Sequence, residues 1–279
     1  MNRLRIFSSL ALAAALMAGS CAATAQQSSY ERFRAHNDAM TALQPSWMGP
    51  LIQSDSRLSQ SLRLSVSNAY APNQTVNYGN GHGLAVLVGN RLQFDFMQPA
   101  YVQNNSAKLK DGFGNAVAQV KFRIASGNAE HGNYAVTAML GRSFTPGSQE
   151  FGALSGAWFP KLGLGRAWGR FNVQTVANGV LPTGKVTEQG RAIEWNTTAQ
   201  VHPNAHVWLD VENNAAFNIG GPFDGKTQNF LTPAAFYLVR RKNWKPTHAT
   251  VVFDAGMQIA TSGFHFYNHN LISEARILF

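Results

Sequence analysis

The residues best spaced for chemistry are His265, Tyr267 and His269, which would share one face of an extended segment. Residues four apart on a strand lie roughly 13 Å from each other, too far for two imidazoles to bind one metal ion. In a loop the two histidines could converge, but tetrahedral zinc usually takes a third protein ligand, and the sequence offers no evident one. We therefore interpret these residues as an outer-loop cluster, and we predict no metal and no cofactor.

Two further kinds of catalytic motif are not supported. Gly163, Gly165 and Gly169 would need a helix or a parallel βαβ unit around them to cradle a phosphate, and the sequence predicts neither. We interpret these glycines as part of a turn. No G-x-S-x-G pattern suggests acyl transfer. The sequence thus predicts no catalytic residue, and an outer-membrane enzyme acting on lipid through His265 and His269 is an alternative without a defined site.

Charged side chains follow a two-residue alternation with apolar ones, as Gln93 and Asp95 alternate with Leu92, Phe94 and Phe96. If the apolar rows face lipid, the charged rows face an enclosed lumen. An Arg or Lys facing lipid at the bilayer midplane costs about 2–4 kcal/mol, so a membrane barrel requires this sorting. The charged residues predicted to face the lumen are Arg63, Asp95, Lys121, Arg123, Glu194, Asp210, Glu212, Asp254, Glu274 and Arg276.

These inward charges allow two interpretations. They could form a structural network in which carboxylates and guanidinium groups neutralise one another across a narrow barrel. They could instead line a polar pore and set its preference for solutes. For a barrel of this size we favour the structural network for most of them.

The elements that position these rows are short strands separated by alternating long and short connections. We predict about twelve antiparallel strands over residues 60–279, closed into an all-β transmembrane barrel with long outer loops and short periplasmic turns. The predicted long connections are 70–81, 98–112, 143–154, 180–190, 214–228 and 261–268, and the short ones are 89–91, 126–132, 165–168, 202–204 and 241–247.

The N-terminal region differs from the rest of the chain. Residues 1–25 have the basic start, apolar run and small residues of a signal peptide, with cleavage predicted after Ala25. The only cysteine, Cys21, lies in a partial lipobox, so lipidation there is an alternative. For residues 26–59 we predict a short helix and a linker on the periplasmic side, a loosely packed terminus rather than a plug.

The bulk composition fits an exported membrane barrel. Only 13% of the residues are charged, and no mature segment reaches the 18 or more apolar residues of a transmembrane helix. The net charge of +9 becomes +7 once Arg3 and Arg5 are removed with the leader. Nucleic acid is a poor partner, because the basic residues are dispersed and the chain is exported. Lys108, Lys110, Lys185 and Lys226 are predicted in outer loops, where they could meet lipopolysaccharide phosphates.

The C-terminus ends on an aromatic residue. Phe279, Ile277 and Ala275 share one face, whereas Arg276 and Glu274 point the other way. This ending resembles the terminal strand signal that the outer-membrane assembly machinery reads. We therefore predict that machinery, together with outer-membrane lipid and a small-molecule solute, as partners of the protein.

Two short motifs carry a family resemblance. Gly112-Phe-Gly-Asn115, leading into Gln119-Val-Lys-Phe-Arg123, resembles the G-x-G-D…K-Y-R strand of outer-membrane proteins of the putative MetA-pathway of phenol degradation. Leu181-Pro-Thr-Gly184 is similar to a loop motif of that family, and Asn115 replaces the family's usual Asp. The resemblance implies a transporter-like barrel over residues 60–279, for hydrophobic or aromatic small molecules, and it transfers no catalytic residue.

Taken together, these features predict a bacterial outer-membrane barrel that acts as a passive channel or facilitator for small solutes. A structural or adhesion barrel that transports nothing, whose long outer loops would do the binding, is an alternative. A soluble exported β-sandwich would need the same alternation with a water-facing polar side.

Overall fold

The computed structural model describes residues 28–71, 74–79, 82–105, 110–145, 153–239 and 249–279. Cys21, the predicted cleavage at Ala25, Lys108 and the basic residues Arg240, Arg241, Lys242 and Lys245 lie outside the described residues. In the described part of the chain, no helix is both long and apolar enough to cross a membrane.

Helix α1 (Ser29–Ala42) begins with a capping box. The Ser28 hydroxyl oxygen accepts a hydrogen bond from the backbone N–H of Glu31 at 3.1 Å, and the Glu31 carboxylate accepts one from the N–H of Ser28 at 2.8 Å. This reciprocal pair satisfies donors that the first turn leaves without helical partners, and so it fixes where the helix starts.

The described strands form one antiparallel sheet whose last strand pairs with its first. That pairing runs from Ser61 opposite Leu278 to Tyr70 opposite His269, and it closes the sheet into a barrel. The strands are β1 (Ser61–Tyr70), β2 (Thr75–Tyr78), β3 (Gly83–Val88), β4 (Leu92–Met97), β5 (Tyr101–Asn104), β6 (Gly112–Phe113), β7 (Ala116–Gly127), β8 (Tyr134–Phe144), β9 (Ala157–Trp168), β10 (Phe171–Pro182), β11 (Arg191–Val201), β12 (Val207–Ile219), β13 (Thr227–Val239), β14 (Thr250–Ala260) and β15 (His269–Leu278).

Three barrel strands are each interrupted once. Both β2 and β3 pair with β1, β5 pairs with β2 while β4 pairs with β3, and β6 pairs with β5 while β7 pairs with β4. Each of the couples β2/β3, β4/β5 and β6/β7 therefore runs along the wall as one strand with a break. Counted this way the barrel has twelve strands, which confirms the predicted fold class.

Three of the predicted long connections are wrong in extent. Residues 75–78 and 101–104 were expected within the loops 70–81 and 98–112, but they form β2 and β5, and β12 continues to Ile219, into the predicted connection 214–228. The segments TVNY and YVQN are only four residues long and half polar, so hydrophobic alternation alone did not mark them as strands, whereas pairing with each other holds them in the sheet. Two other loops carry the short helix α2 (Val186–Gln189) and the 3₁₀ turn Gly221–Phe223.

The alternation between outward apolar and inward polar side chains is confirmed on most strands, although part of the inward row of β13 to β15 is apolar. On β4, Phe94 and Phe96 are 46% and 57% exposed on the outside of the barrel, whereas Gln93 and Asp95 are buried inside it. Large apolar side chains cover the outer surface of most strands in the same way. Such a continuous apolar exterior is costly in water and suits a lipid surrounding.

The depth of an outward-facing residue in the lipid predicts how much a charged substitution there destabilises the barrel. Leu162 lies at the middle of β9 and Trp168 at its end, and both side chains point outward. We expect Leu162→Arg to destabilise the barrel by about 2–4 kcal/mol relative to Leu162→Ala, and Trp168→Arg by only about 0–1 kcal/mol relative to Trp168→Ala. Chemical unfolding in liposomes measures both differences. Equal costs at the two positions would contradict a lipid-facing β9.

Candidate functional site

The lumen is filled by the chain's own N-terminal segment, residues 44–60, which we call the plug. The expected loosely packed periplasmic linker is therefore wrong for these residues. Trp47, Met48, Leu51 and Leu58 are each at most 5% exposed. Plug atoms bond to inward-facing side chains of strands all around the wall, so the segment lies inside the barrel.

Glu212 of β12 holds the tip of the plug. Its Oε1 accepts hydrogen bonds from the backbone N–H groups of Leu51 and Ile52, at 2.5 and 2.9 Å, and its Oε2 accepts one from Gln53 at 3.1 Å. Three consecutive backbone donors thus surround one fully buried carboxylate. Buried backbone N–H groups need acceptors, and this one side chain supplies them for three residues, so the contact is a principal anchor of the plug.

Arg276 and Arg63 hold the same turn from the opposite side. Arg276 donates to the carbonyl oxygens of Gly49 and Pro50, and Arg63 Nη2 donates to those of Pro50 and Leu51, both at 3.1 Å. Each guanidinium is also paired with carboxylates of the wall. The pairs are Arg63–Glu274 at 2.6 Å, Arg276–Asp254 at 2.6 Å and Arg276–Glu274 at 2.5 Å. The charges therefore neutralise one another and bind plug backbone at the same time.

The other side of the wall binds the second half of the plug. Lys121 Nζ donates to the carbonyl oxygens of Asp55 and Arg57, both at 2.9 Å. Gln174 Oε1 accepts from the Ser56 hydroxyl at 3.0 Å, and Gln174 Nε2 donates to Met48. Thus β7 and β10 bind the plug through a lysine and a neutral amide, where β12 and β15 contribute a charged network.

Within the plug, Asp55 binds the side chains of two other plug residues. Arg57 Nη2 bonds its carboxylate at 3.0 Å, and Trp47 Nε1 donates to it at 3.3 Å. Burial by itself raises the pKa of Asp55, but the charges of Arg57 and Lys121 outweigh burial and bring the pKa below its usual value. The Asp55 carboxylate therefore stays ionised and keeps the plug folded back on itself.

An apolar patch completes the seat of the plug. Trp47, Met48 and Leu51 pack in one cluster with inward-facing residues of β12 to β15, namely Trp208, Phe236, Leu238, Val252 and Ile272. The alternation along β12 puts Trp208 in the same inward row as Asp210 and Glu212, and it is 8% exposed. The inward face of β12 to β15 thus combines this apolar patch with charged side chains, and the plug packs against both.

Two glycines of β9 make room for the plug. Gly163 and Gly165 lie within the strand and not in the predicted turn, because the β9–β10 turn falls at Gly169, with φ +57°. A Cβ atom added to Gly165 would lie 2.6 Å from the Ser56 hydroxyl oxygen and 2.7 Å from the Trp47 ring. No side chain fits there while the plug is seated.

Gly165→Leu is accordingly expected to displace the plug. Released plug exposes the Arg57–Leu58 bond, which trypsin cleaves, whereas in the seated plug Arg57 has a side chain only 13% exposed. We expect the fraction of protein cleaved at that bond, measured by mass spectrometry, to be at least tenfold higher than in the wild type. The matched control is Gly263→Leu, since a Cβ at Gly263 meets nothing within 4 Å. Equal cleavage in both variants would contradict the close packing at Gly165.

The structure places all ten predicted lumen residues on the inward rows, but it divides them by role. Arg63, Lys121, Glu212 and Arg276 touch the plug segment directly. Arg123 donates to the carbonyl oxygen of Met40 and to that of Asn90 in a turn. The rest bond to the wall, as Asp254 and Glu274 pair with the arginines, Asp95 with Gln93 and Gln119, Asp210 with Gln200, and Glu194 with Asn178.

One lumen cation is absent from the ten charged residues predicted to face the lumen. Lys161 lies in the middle of β9 and donates to the Ser54 hydroxyl of the plug at 3.1 Å. The signal was present, because Lys161 alternates with the outward Pro160 and Leu162.

A cavity of about 150 Å³ remains between the plug and the wall. Lys121, Lys161, Arg63, Asp55 and Asp95 bring charge to it, and four neutral amide or imidazole side chains and several apolar groups complete the lining. The remaining lining residues are Ile52, Gln53, Ser54, Ser59, Ser61, His82, Gly83, Leu84, Ala85, Gln93, Met97 and Gln119.

The histidines of the outer loop do not form a shared site. His265 contacts the Ser262 carbonyl oxygen at 2.9 Å and Asn268 Oδ1 at 2.8 Å, whereas His269 stacks on Tyr70 with ring centroids 4.4 Å apart. Among the residues that the structure describes, no group of three His, Cys, Asp or Glu side chains is arranged to hold a metal ion.

Known structures share this architecture. The NanC porin matches with a TM-score of 0.50 and 9% sequence identity, over 77% of this chain and 98% of the porin chain. An outer membrane channel from Pseudomonas putida F1 matches with a TM-score of 0.52 and 11% identity, over 84% of this chain and all of the channel chain (100%). No protein family and no curated protein matches the sequence. At these identities the likeness establishes the fold, that of outer-membrane β-barrels.

Proposed function

We propose that this protein is an outer-membrane channel for small solutes, and that the plug closes it in the conformation described. The observation that carries the proposal is the construction of the lumen. Charged and polar side chains line the inside of a closed barrel, and they bind a segment that is not part of the wall, through its backbone and its side chains. A barrel whose inward charges only neutralised one another would not need such a segment.

The likeness to a porin and to an outer membrane channel supports this function. The motifs at 112–123 and 181–184, which resemble the MetA-pathway family, support solutes with hydrophobic or aromatic groups. We also infer that the outward face of Ala275, Ile277 and Phe279 serves the assembly machinery, since the Phe279 side chain is 37% exposed.

Ion conductance in planar bilayers and the swelling of liposomes test the proposed channel function. Purified protein in planar bilayers should show brief openings on a closed baseline, because the plug must leave for ions to pass. Liposomes that contain the protein should swell in small solutes such as butyrate or glycerol, but not in large sugars. If neither the wild type nor a variant without the plug side chains conducts ions or passes solute, the channel function is wrong.

A further inference from the structure

The cavity between plug and wall contains two lysine ammonium groups with unused hydrogen-bond donors. An ammonium group has three donors. Lys121 uses two of them on plug carbonyl oxygens, and Lys161 uses one on the Ser54 hydroxyl. In the described part of the chain, neither lysine forms a salt bridge with a carboxylate.

The two acids at this cavity are already engaged elsewhere. Asp55 is paired with Arg57 at 3.0 Å, and Asp95 accepts hydrogen bonds from Gln93 at 2.5 Å and from Gln119 at 2.7 Å. Arg63, the third cation, is likewise occupied by Glu274 and by plug carbonyl oxygens. The remaining donors of the two lysines therefore lack an acceptor, and a negatively charged group of a ligand beside them would supply one.

The rest of the lining limits the size and character of that acceptor. Ile52, Ala85 and Met97 contribute apolar groups to the lining of the cavity. A volume of about 150 Å³ is comparable to that of an engineered cavity, also of about 150 Å³, that binds benzene. A ligand of roughly six to eight heavy atoms with one charged end matches both the volume and the mixed polar and apolar lining.

We propose that this cavity is a binding site for a small amphipathic carboxylate, with the carboxylate on Lys121 and Lys161 and the apolar part against Ile52 and Met97. This inference rests on the proposed channel function for its meaning, because it names the class of solute that would pause beside the plug. The binding itself does not require conduction. It reconciles a charged lumen with a resemblance that implies hydrophobic or aromatic solutes.

Titration calorimetry on the protein in detergent micelles tests the site with three probes, namely butyrate, its neutral isostere butyramide, and butylammonium. We expect butyrate to bind at least tenfold more tightly than butyramide, and butylammonium not to bind. Lys161→Met should weaken butyrate at least tenfold, since a hydrogen bond to a charged group is lost from a buried site. Lys226→Met, which removes an exposed outer-loop lysine, should leave the affinity unchanged.

Three results would overturn the inference. They are equal binding of butyrate and butyramide by the wild type, no binding of butyrate, and an unchanged butyrate affinity in Lys161→Met. The probe comparison uses the wild type alone, so it decides the matter even if a variant fails to fold. A protein that binds butyrate but never conducts would refute the channel and leave the site standing, which keeps the two failures distinguishable.

Discussion

Replacing residues 46–57 with a Gly-Ser sequence of equal length should raise the conductance of the reconstituted barrel at least tenfold. Twelve strands spaced about 4.8 Å apart and tilted by about 40° enclose a barrel roughly 24 Å across at the backbone. Inward side chains leave a lumen that only the plug fills. The replacement removes the Trp47, Met48 and Leu51 side chains that seat the segment, so the flexible chain no longer blocks the lumen.

Unchanged conductance in the Gly-Ser variant, with the barrel still folded by its resistance to denaturing gel electrophoresis, would show that the plug does not control the pore.

Glu212→Leu should raise the equilibrium constant for release of the plug from its seat by roughly a hundredfold. The substitution leaves the N–H groups of Leu51, Ile52 and Gln53 without their acceptor. Each unsatisfied buried donor costs about 1–3 kcal/mol, so the loss is roughly 3 kcal/mol or more of docking free energy. Release lets those donors bond to water, which is why the cost falls on the seated state. Open probability in bilayers and trypsin cleavage after Arg57 measure the shift independently.

Glu194→Leu is the matched control for that substitution. Glu194 is also an inward-facing glutamate, but it accepts a hydrogen bond from Asn178 of the neighbouring strand and not from the plug. We expect its open probability and its Arg57 cleavage to stay near those of the wild type. Equal release in the two variants would mean that general loss of lumen charge, and not the Glu212 contact, holds the plug.

The barrel could be predicted from the sequence because the alternation that defines each strand lies in neighbouring residues. Two-residue alternation, as in Leu92 to Phe96, fixes which side chains face lipid whatever the rest of the chain does. The same parity placed Trp208 and the charged rows on the inside. It failed at Thr75–Tyr78 and Tyr101–Asn104, where four-residue, half-polar segments are held by pairing with one another, a long-range property that alternation does not encode.

The plug could not be predicted because its contacts have no periodicity. Residues 44–60 contain prolines, glycine and serines that are typical of a linker, and their burial depends on partners up to 227 residues away. Alternation identifies the charged lumen residues but not the groups that they bind. The separation between Leu51 and Glu212 is 161 residues, so only the folded barrel brings that carboxylate to those backbone donors. Gly163 and Gly165 could be identified in the sequence, but nothing in the sequence indicates that their lack of side chains leaves room for Trp47 and Ser56.

The position of the plug ahead of the barrel strands has a consequence for biogenesis. The plug precedes every barrel strand in the chain, yet its binding partners extend to Arg276 on β15. Loop closure over such separations is slow and contributes stability only once the ring of strands is complete. We therefore expect the plug to seat only after β15 has joined the sheet, so that the wall forms before its interior is occupied.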